Sequence, residues 1–99
     1  MSIIDRNIVK IKALCSKHKV SSLFVFGSIL TDRYNQSSDI DFVVDFFDVD
    51  IYNYADNYFD LKESLEDLLN RQIDLIEEKA IINPYLRKNI DSSKKLIYG

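Results

Sequence analysis

The sequence predicts an α/β fold of the α+β kind, in which helices cover a small mixed β-sheet. Several segments carry apolar residues at helical spacing. Short apolar runs rich in branched and aromatic residues alternate with these segments, as strands do. The chain contains two glycines and one proline, so long structureless loops are not expected. Together these observations indicate a small α/β layer in which helices cover a mixed sheet.

The first half predicts one long helix, one short helix and two strands. A helix from about residue 3 to residue 18 follows from one apolar stripe with Leu14 beside it, consisting of Ile4, Ile8, Ile11, Cys15 and His18. Residues 23–26 predict a buried strand. Residues 28–33 predict a short helix, and residues 39–46 a second strand after a polar loop.

The second half predicts two helices and two strands. Leucines at helical spacing indicate a helix over about residues 55–70, and residues 72–77 indicate a third strand. Asn83 and Pro84 are typical of a helix start, with asparagine as the cap. This helix runs to about residue 92, and residues 95–98 form a last strand.

Two further groups of side chains are interpreted as structural. Asp45, Asp48 and Asp50 predict a solvated acidic connection, because the turn glycine and closing glutamate of a calcium loop are missing. The aromatic residues around the start of the third helix predict packing in the core and at the helix entry, because no basic groove accompanies them for base stacking. They are Tyr52, Tyr54, Tyr58 and Phe59.

Length and composition favour a single cytoplasmic domain over residues 1–99. The net charge of −3 argues against a non-specific nucleic-acid binder, which needs a basic surface. One cysteine, Cys15, excludes an internal disulfide and is compatible with a reducing compartment. Neither a signal peptide nor an apolar run of membrane length is apparent.

The most informative motif is Gly27-Ser28, followed after ten residues by Asp39 and Asp41. Residues i and i+2 share one side of a strand, so the two carboxylates point the same way, roughly 6.5–7 Å apart along the backbone. Like charges between apolar neighbours are unfavourable unless a positive charge is bound. A divalent cation is therefore the natural ligand.

Asp74 is the third candidate acid, in the middle of the predicted third strand. One interpretation is a salt bridge to Arg71 or to a lysine. The other requires the third strand to lie beside the second, so that Asp74 joins Asp39 and Asp41. Three carboxylates are able to hold two Mg²⁺ ions, which clamp the oxygens of an in-line phosphoryl displacement.

Gly27 and Ser28 predict the complementary anion site. Backbone N–H groups at the start of a short helix bind anions, and the serine hydroxyl adds a further donor. The β- and γ-phosphates of a nucleoside triphosphate fit such a corner, with the α-phosphate facing the acids.

This combination resembles the minimal nucleotidyltransferases of the DNA polymerase β-like superfamily, and the resemblance covers nearly the whole chain. It implies a palm-like nucleotidyltransferase fold. It also implies that Gly27 and Ser28 hold the triphosphate and that Asp39 and Asp41 bind metal. Asp74 then completes the metal site or acts as the base.

The chain departs from this family at one place. Many relatives carry an arginine just after the Gly-Ser pair, whereas Ile29 and Thr31 occupy that stretch here. Arg33 is the nearest cation and is therefore the candidate substitute in nucleotide binding.

The resemblance also implies a role. Minimal nucleotidyltransferases are typically antitoxins that silence a helical HEPN toxin by moving AMP from ATP to a tyrosine of that partner. The leading hypothesis is such a Mg²⁺-dependent adenylyltransferase. Two alternatives stay open: a non-catalytic module that binds nucleotide or neutralises its partner by occlusion, and a transferase acting on RNA or a small molecule.

Overall fold

Four strands and four α-helices make up most of residues 2–31 and 33–99, the part of the chain that the computed structural model describes. The helices are α1 (Ser2–Arg6), α2 (Ile8–Lys17), α3 (Ile51–Leu69) and α4 (Pro84–Ser93). The strands are β1 (Val20–Phe26), β2 (Ile40–Phe46), β3 (Ile73–Glu77) and β4 (Lys95–Tyr98). Two 3₁₀ turns, Gly27–Leu30 and Glu78–Ala80, follow β1 and β3.

The strands form one mixed sheet in the order β3-β2-β1-β4. β1 pairs antiparallel with both β2 and β4, whereas β2 and β3 are parallel. Parallel neighbours need a crossover connection, and α3 provides it. The predicted class, a small mixed sheet with helices, is confirmed.

The two sides of the sheet are covered unequally. The main core joins one side to the first three helices, with Ile11, Phe42 and Leu65 fully buried within it. The other side holds a smaller cluster, in which Ile90 of α4 packs near Val43 of β2. Because side chains alternate along a strand, Asp41 lies on the same side as Val43. The less covered side therefore carries the acids.

Several predicted boundaries are wrong. The first helix is interrupted at Asn7, whose side-chain Nδ2 donates to the Ile3 carbonyl over 2.8 Å. The third helix begins at Ile51 rather than near residue 55, because the Asp50 carboxylate accepts a hydrogen bond from Tyr52 N and caps it. The short helix expected over 28–33 is the tighter 3₁₀ turn Gly27–Leu30; the part of that prediction on Asp32 lies outside the described residues.

Two structural interpretations also need correction. Asp45 belongs to β2 and forms an ion pair with Lys79 at 3.5 Å, so it is not part of a loop. Tyr52 and Phe59 are 89% and 56% exposed, so they do not pack in the core. The carboxyl-terminal elements agree with prediction: Asn83 caps α4, and β4 spans Lys95–Tyr98. None of the helices in the described residues has the length and apolar character needed to cross a membrane.

Candidate functional site

The parallel pairing of β2 with β3 brings two acids side by side. In the register of these strands, Asp41 is the partner of Asp74. Directly paired residues project from the same side of a sheet, so both carboxylates face the less covered side. The expectation that the third strand lies beside the second is thus confirmed. Asp74 is exposed, and among the described residues it forms no salt bridge with Arg71 or a lysine.

Asp39 stands immediately before β2, two residues from Asp41. Its neighbour Ile40 donates a backbone hydrogen bond to the Gln72 carbonyl over 3.1 Å, which fixes the entry of β2 against the entry of β3. Asp39 is exposed at this edge. The three acids therefore come from the amino-terminal ends of two parallel strands.

Gly27 lies against the carboxylate of Asp41. The antiparallel register pairs Phe26 with Asp41, so the turn that leaves β1 passes directly over that side chain. Gly27 has φ +83°, and a Cβ added there would overlap Asp41 Oδ2 and lie 3.3 Å from Cγ. A residue without a side chain is required here for both reasons. The backbone of the predicted phosphate corner consequently touches the predicted metal ligand.

The charges of the site are mutually unfavourable in the absence of a cation. Burial raises the pKa of Asp41, and the nearby negative charges of Asp74 and Asp39 raise it further. Each cause penalises the ionised carboxylate. A bound positive charge would remove this penalty, which is the electrostatic condition for a cation site.

The Gly-Ser turn is held by its own hydrogen bonds. Thr31 donates to the Ser28 carbonyl through both its backbone N–H (2.9 Å) and its hydroxyl (2.8 Å), and Thr31 Oγ1 accepts from Arg33 N. Ile29 is 4% exposed and packs into the main core. Ile29 and Thr31, which replace the arginine expected from the resemblance, thus stabilise the turn. Arg33 is exposed, and within the described residues its guanidinium makes no ion pair with the three acids.

The donor set suits a hard cation such as Mg²⁺, because it offers carboxylate oxygens and neither thiolate nor imidazole. Cys15 and His18 are buried on the helix-covered side of the sheet. As the side chains stand, no three His, Cys, Asp or Glu residues in the described ranges are grouped closely enough to hold one ion. Asp39, Asp41 and Asp74 remain the metal ligands predicted from the sequence.

Two supporting residues were not identified from the sequence. The Tyr58 hydroxyl donates to the Leu75 carbonyl, which ties α3 to the strand that carries Asp74. Burial raises the pKa of Tyr58, with contributions from Glu77 and Asp74. Arg87 of α4 pairs with Glu78 and donates to its carbonyl, which fixes α4 beside the end of β3. Helical spacing predicted where Tyr58 lies, but no local pattern indicates its hydroxyl partner.

Comparison with known proteins finds a family to which this sequence is similar. The model of the family described as "Polymerase beta, Nucleotidyltransferase" matches residues 9–99. One relative, named "putative protein adenylyltransferase" from Methanocaldococcus jannaschii, is 41% identical over 87 residues, which cover 88% of this chain and 84% of the relative.

Solved structures share the fold. A "putative minimal nucleotidyltransferase" superposes with a TM-score of 0.76 at 25% identity, covering 93% of this chain and 90% of that chain. A chain from the complex of a tri-AMPylated Shewanella oneidensis HEPN toxin with an MNT antitoxin superposes with a TM-score of 0.67 at 22% identity, covering 96% of this chain and 71% of that chain.

Proposed function

This chain belongs to the polymerase beta nucleotidyltransferase family, and on that basis we propose that it transfers AMP from ATP to a hydroxyl group of a partner protein. The observation that carries the proposal is the convergence of Gly27, Asp41 and Asp74 on the open side of the sheet. It supports the proposal because the turn that we expect to bind the phosphates lies directly beside two carboxylates. The name of the 41% identical relative, a protein adenylyltransferase, supports the class of acceptor.

In this proposal each part of the site has a defined role, and Asp74 has two. The backbone N–H groups of the Gly27–Leu30 turn and the Ser28 hydroxyl hold the β- and γ-phosphates. Asp39, Asp41 and Asp74 would hold two Mg²⁺ ions, which neutralise the charge of the triphosphate when bound. Exposed Asp74 accepts the proton of the acceptor hydroxyl. That hydroxyl attacks the α-phosphorus, the bond from the α-phosphorus to the bridging oxygen breaks, and pyrophosphate leaves.

We further propose that the acceptor is a tyrosine of a HEPN toxin and that the chain acts as its antitoxin in the cytoplasm. Support comes from the complex in which this fold accompanies a tri-AMPylated HEPN toxin. Residues 1–99 serve as one nucleotidyltransferase domain, since the main core includes residues from Ile3 to Ile97.

The test is transfer of label from α-labelled ATP to the protein encoded by the neighbouring gene, in the presence of Mg²⁺. We expect label on tyrosine, and a loss of at least about 100-fold in Asp39→Asn/Asp41→Asn. Asp45→Asn is the matched control, because Asp45 lies on the same strand but pairs with Lys79 outside the site. Its transfer rate should stay close to that of the wild type.

Three outcomes would contradict the proposal. Absence of labelled protein with folded components excludes adenylyl transfer to this partner. Neutralisation of the toxin that survives Asp39→Asn/Asp41→Asn, with the complex still formed, assigns the chain to occlusion. Label on RNA or on a small molecule in place of protein changes the acceptor class.

A further inference from the structure

The outer face of α2 and α3, on the side of the molecule away from the acids, carries an apolar groove of about 350 Å³. The residues that line it are Lys10, Ala13, Leu14 and Lys17 from α2 with Ser64 and Leu68 from α3. Val9, one turn before Ala13, is 77% exposed and extends this apolar surface. The groove is therefore an apolar surface between the exposed outer faces of α2 and α3.

The two helices that border this groove carry opposite charges: the lysines of α2 line it, and the aspartates of α3 lie beside its lining residue Ser64. Lys10 and Lys17 are exposed along α2. On α3, exposed Asp60 and Asp67 flank Ser64, since residues three and four apart are neighbours on a helix. Within the described part of the chain, none of these four side chains forms a salt bridge. Each pair is separated by seven residues, or about 10.5 Å along a helix axis.

The lysines of α2 and the aspartates of α3 lie at matching positions along the axes of the two helices. α2 ends where β1 begins and β2 ends, and α3 begins from that same edge, because Val20 pairs with Phe46. Asn57 of α3 donates to the His18 carbonyl over 2.8 Å, so the helices run in opposite directions from a shared end. Lys17 consequently lies within about one helical turn of the level of Asp60, and Lys10 within one turn of Asp67.

We propose that this face binds a second copy of the chain in a two-fold dimer whose axis runs parallel to α2 and α3. That axis lays α2 of one protomer over α3 of its partner at the same height, so that lysines face aspartates in both directions. A two-fold axis across the helices would instead stack α2 on α2 and bring lysines together. Burial of the apolar groove provides the attraction, and the charges select the arrangement. The acid-bearing sides of both protomers remain open.

The test is the oligomeric state by analytical ultracentrifugation, over concentrations up to about 1 mM. We expect a concentration-dependent dimer for the wild type. The charge reversals Lys10→Glu/Lys17→Glu and Asp60→Lys/Asp67→Lys should each weaken it at least about tenfold, because every facing pair becomes repulsive. An equimolar mixture of the two variants should restore dimers, since opposite charges face each other again.

The control is Lys12→Glu/Lys88→Glu, which changes the net charge by the same amount as Lys10→Glu/Lys17→Glu, at exposed positions outside the groove. Its dimer should match that of the wild type, and circular dichroism verifies that every variant is folded. A wild type that stays monomeric overturns the proposal, as does a dimer that both reversals leave intact. Failure of the mixture to associate overturns the proposed arrangement of the helices.

Discussion

Gly27 shows how a single missing side chain shapes the candidate site. Its φ of +83° is unfavourable for an L-residue, and any Cβ would displace the Asp41 carboxylate. Replacing Gly27 with alanine should lower the free energy of unfolding by about 1–2 kcal/mol from the backbone alone. It should also abolish nucleotide transfer, since Asp41 loses its position. Urea denaturation and the labelled-ATP assay measure these two effects.

Gly99 provides the matched control for that variant. It also has a positive φ, +111°, but a Cβ there would meet the Ser21 carbonyl oxygen, remote from the acids. Gly99→Ala should lose stability and retain transfer. If Gly27→Ala keeps wild-type transfer, the contact between Gly27 and Asp41 has no part in positioning the nucleotide.

Asp41 also gives the fold a characteristic dependence on pH. Folding raises the pKa of Asp41 above its ordinary value, through burial first and the charges of Asp74 and Asp39 second. Above that ordinary value the folded state binds more protons at Asp41 than the unfolded state does, so this residue lowers stability as pH rises through its folded pKa. Asp41→Asn should therefore be more stable than the wild type at pH 7, and the difference should shrink below the ordinary pKa of aspartate.

Urea midpoints of both proteins from about pH 3 to pH 8 measure that difference. Metal is left out of the buffers, so that only the carboxylates contribute. A difference that is constant across this range, or an Asp41→Asn protein less stable at pH 7, would contradict a pKa of Asp41 that folding raises.

At the scale of elements, α4 depends on its cap. The Asn83 side chain accepts hydrogen bonds from Tyr85 N at 2.9 Å and Leu86 N at 3.2 Å. Asn83→Ala should lower the free energy of unfolding by about 1 kcal/mol, since two helix N–H groups lose their partner. Thermal or urea unfolding measures this change. Asn89→Ala, exposed within the same helix, should change stability by less than about 0.5 kcal/mol, and equal effects would assign no special role to the cap.

The start of α4 was predictable because its chemistry is local: the cap and the proline are consecutive residues. The break at Asn7 was not, since Ile4 and Ile8 keep helical spacing across it while the Asn7 side chain bonds the Ile3 carbonyl. The early start of α3 was also not predicted, in this case because the helix is present where apolar residues at helical spacing are not. Its first turn contains Ile51 and Tyr52, both more than 80% exposed, so no apolar stripe marks it.

At the scale of the whole molecule, the predicted motif is brought together by strand pairing. Alternation along a strand predicts Asp39 and Asp41 on one side, although β2 begins only at Ile40, one residue after Asp39. The match of Asp41 with Asp74 depends on a register between strands that are separated by all of α3, and no local pattern specifies such a register. The contact of Gly27 with Asp41 follows from the pairing of β1 with β2 and was not foreseen. The roles assigned to these residues stay predictions until transfer is measured.

The parallel pairing of β2 with β3 also bears on the order in which the site forms during folding. Residues 27–39 join β1 to β2, a shorter connection than residues 47–72 between β2 and β3, so its closure costs less chain entropy. We therefore expect Gly27 and Asp41 to come together first. Asp74 joins them only when β3 pairs with β2 across the connection that contains α3. Because this pairing links residues far apart in the sequence, we expect it to form more slowly than the pairing of β1 with β2. With the roles proposed for these residues, a chain that has not closed this crossover lacks Asp74 at the site, and we expect it to be inactive.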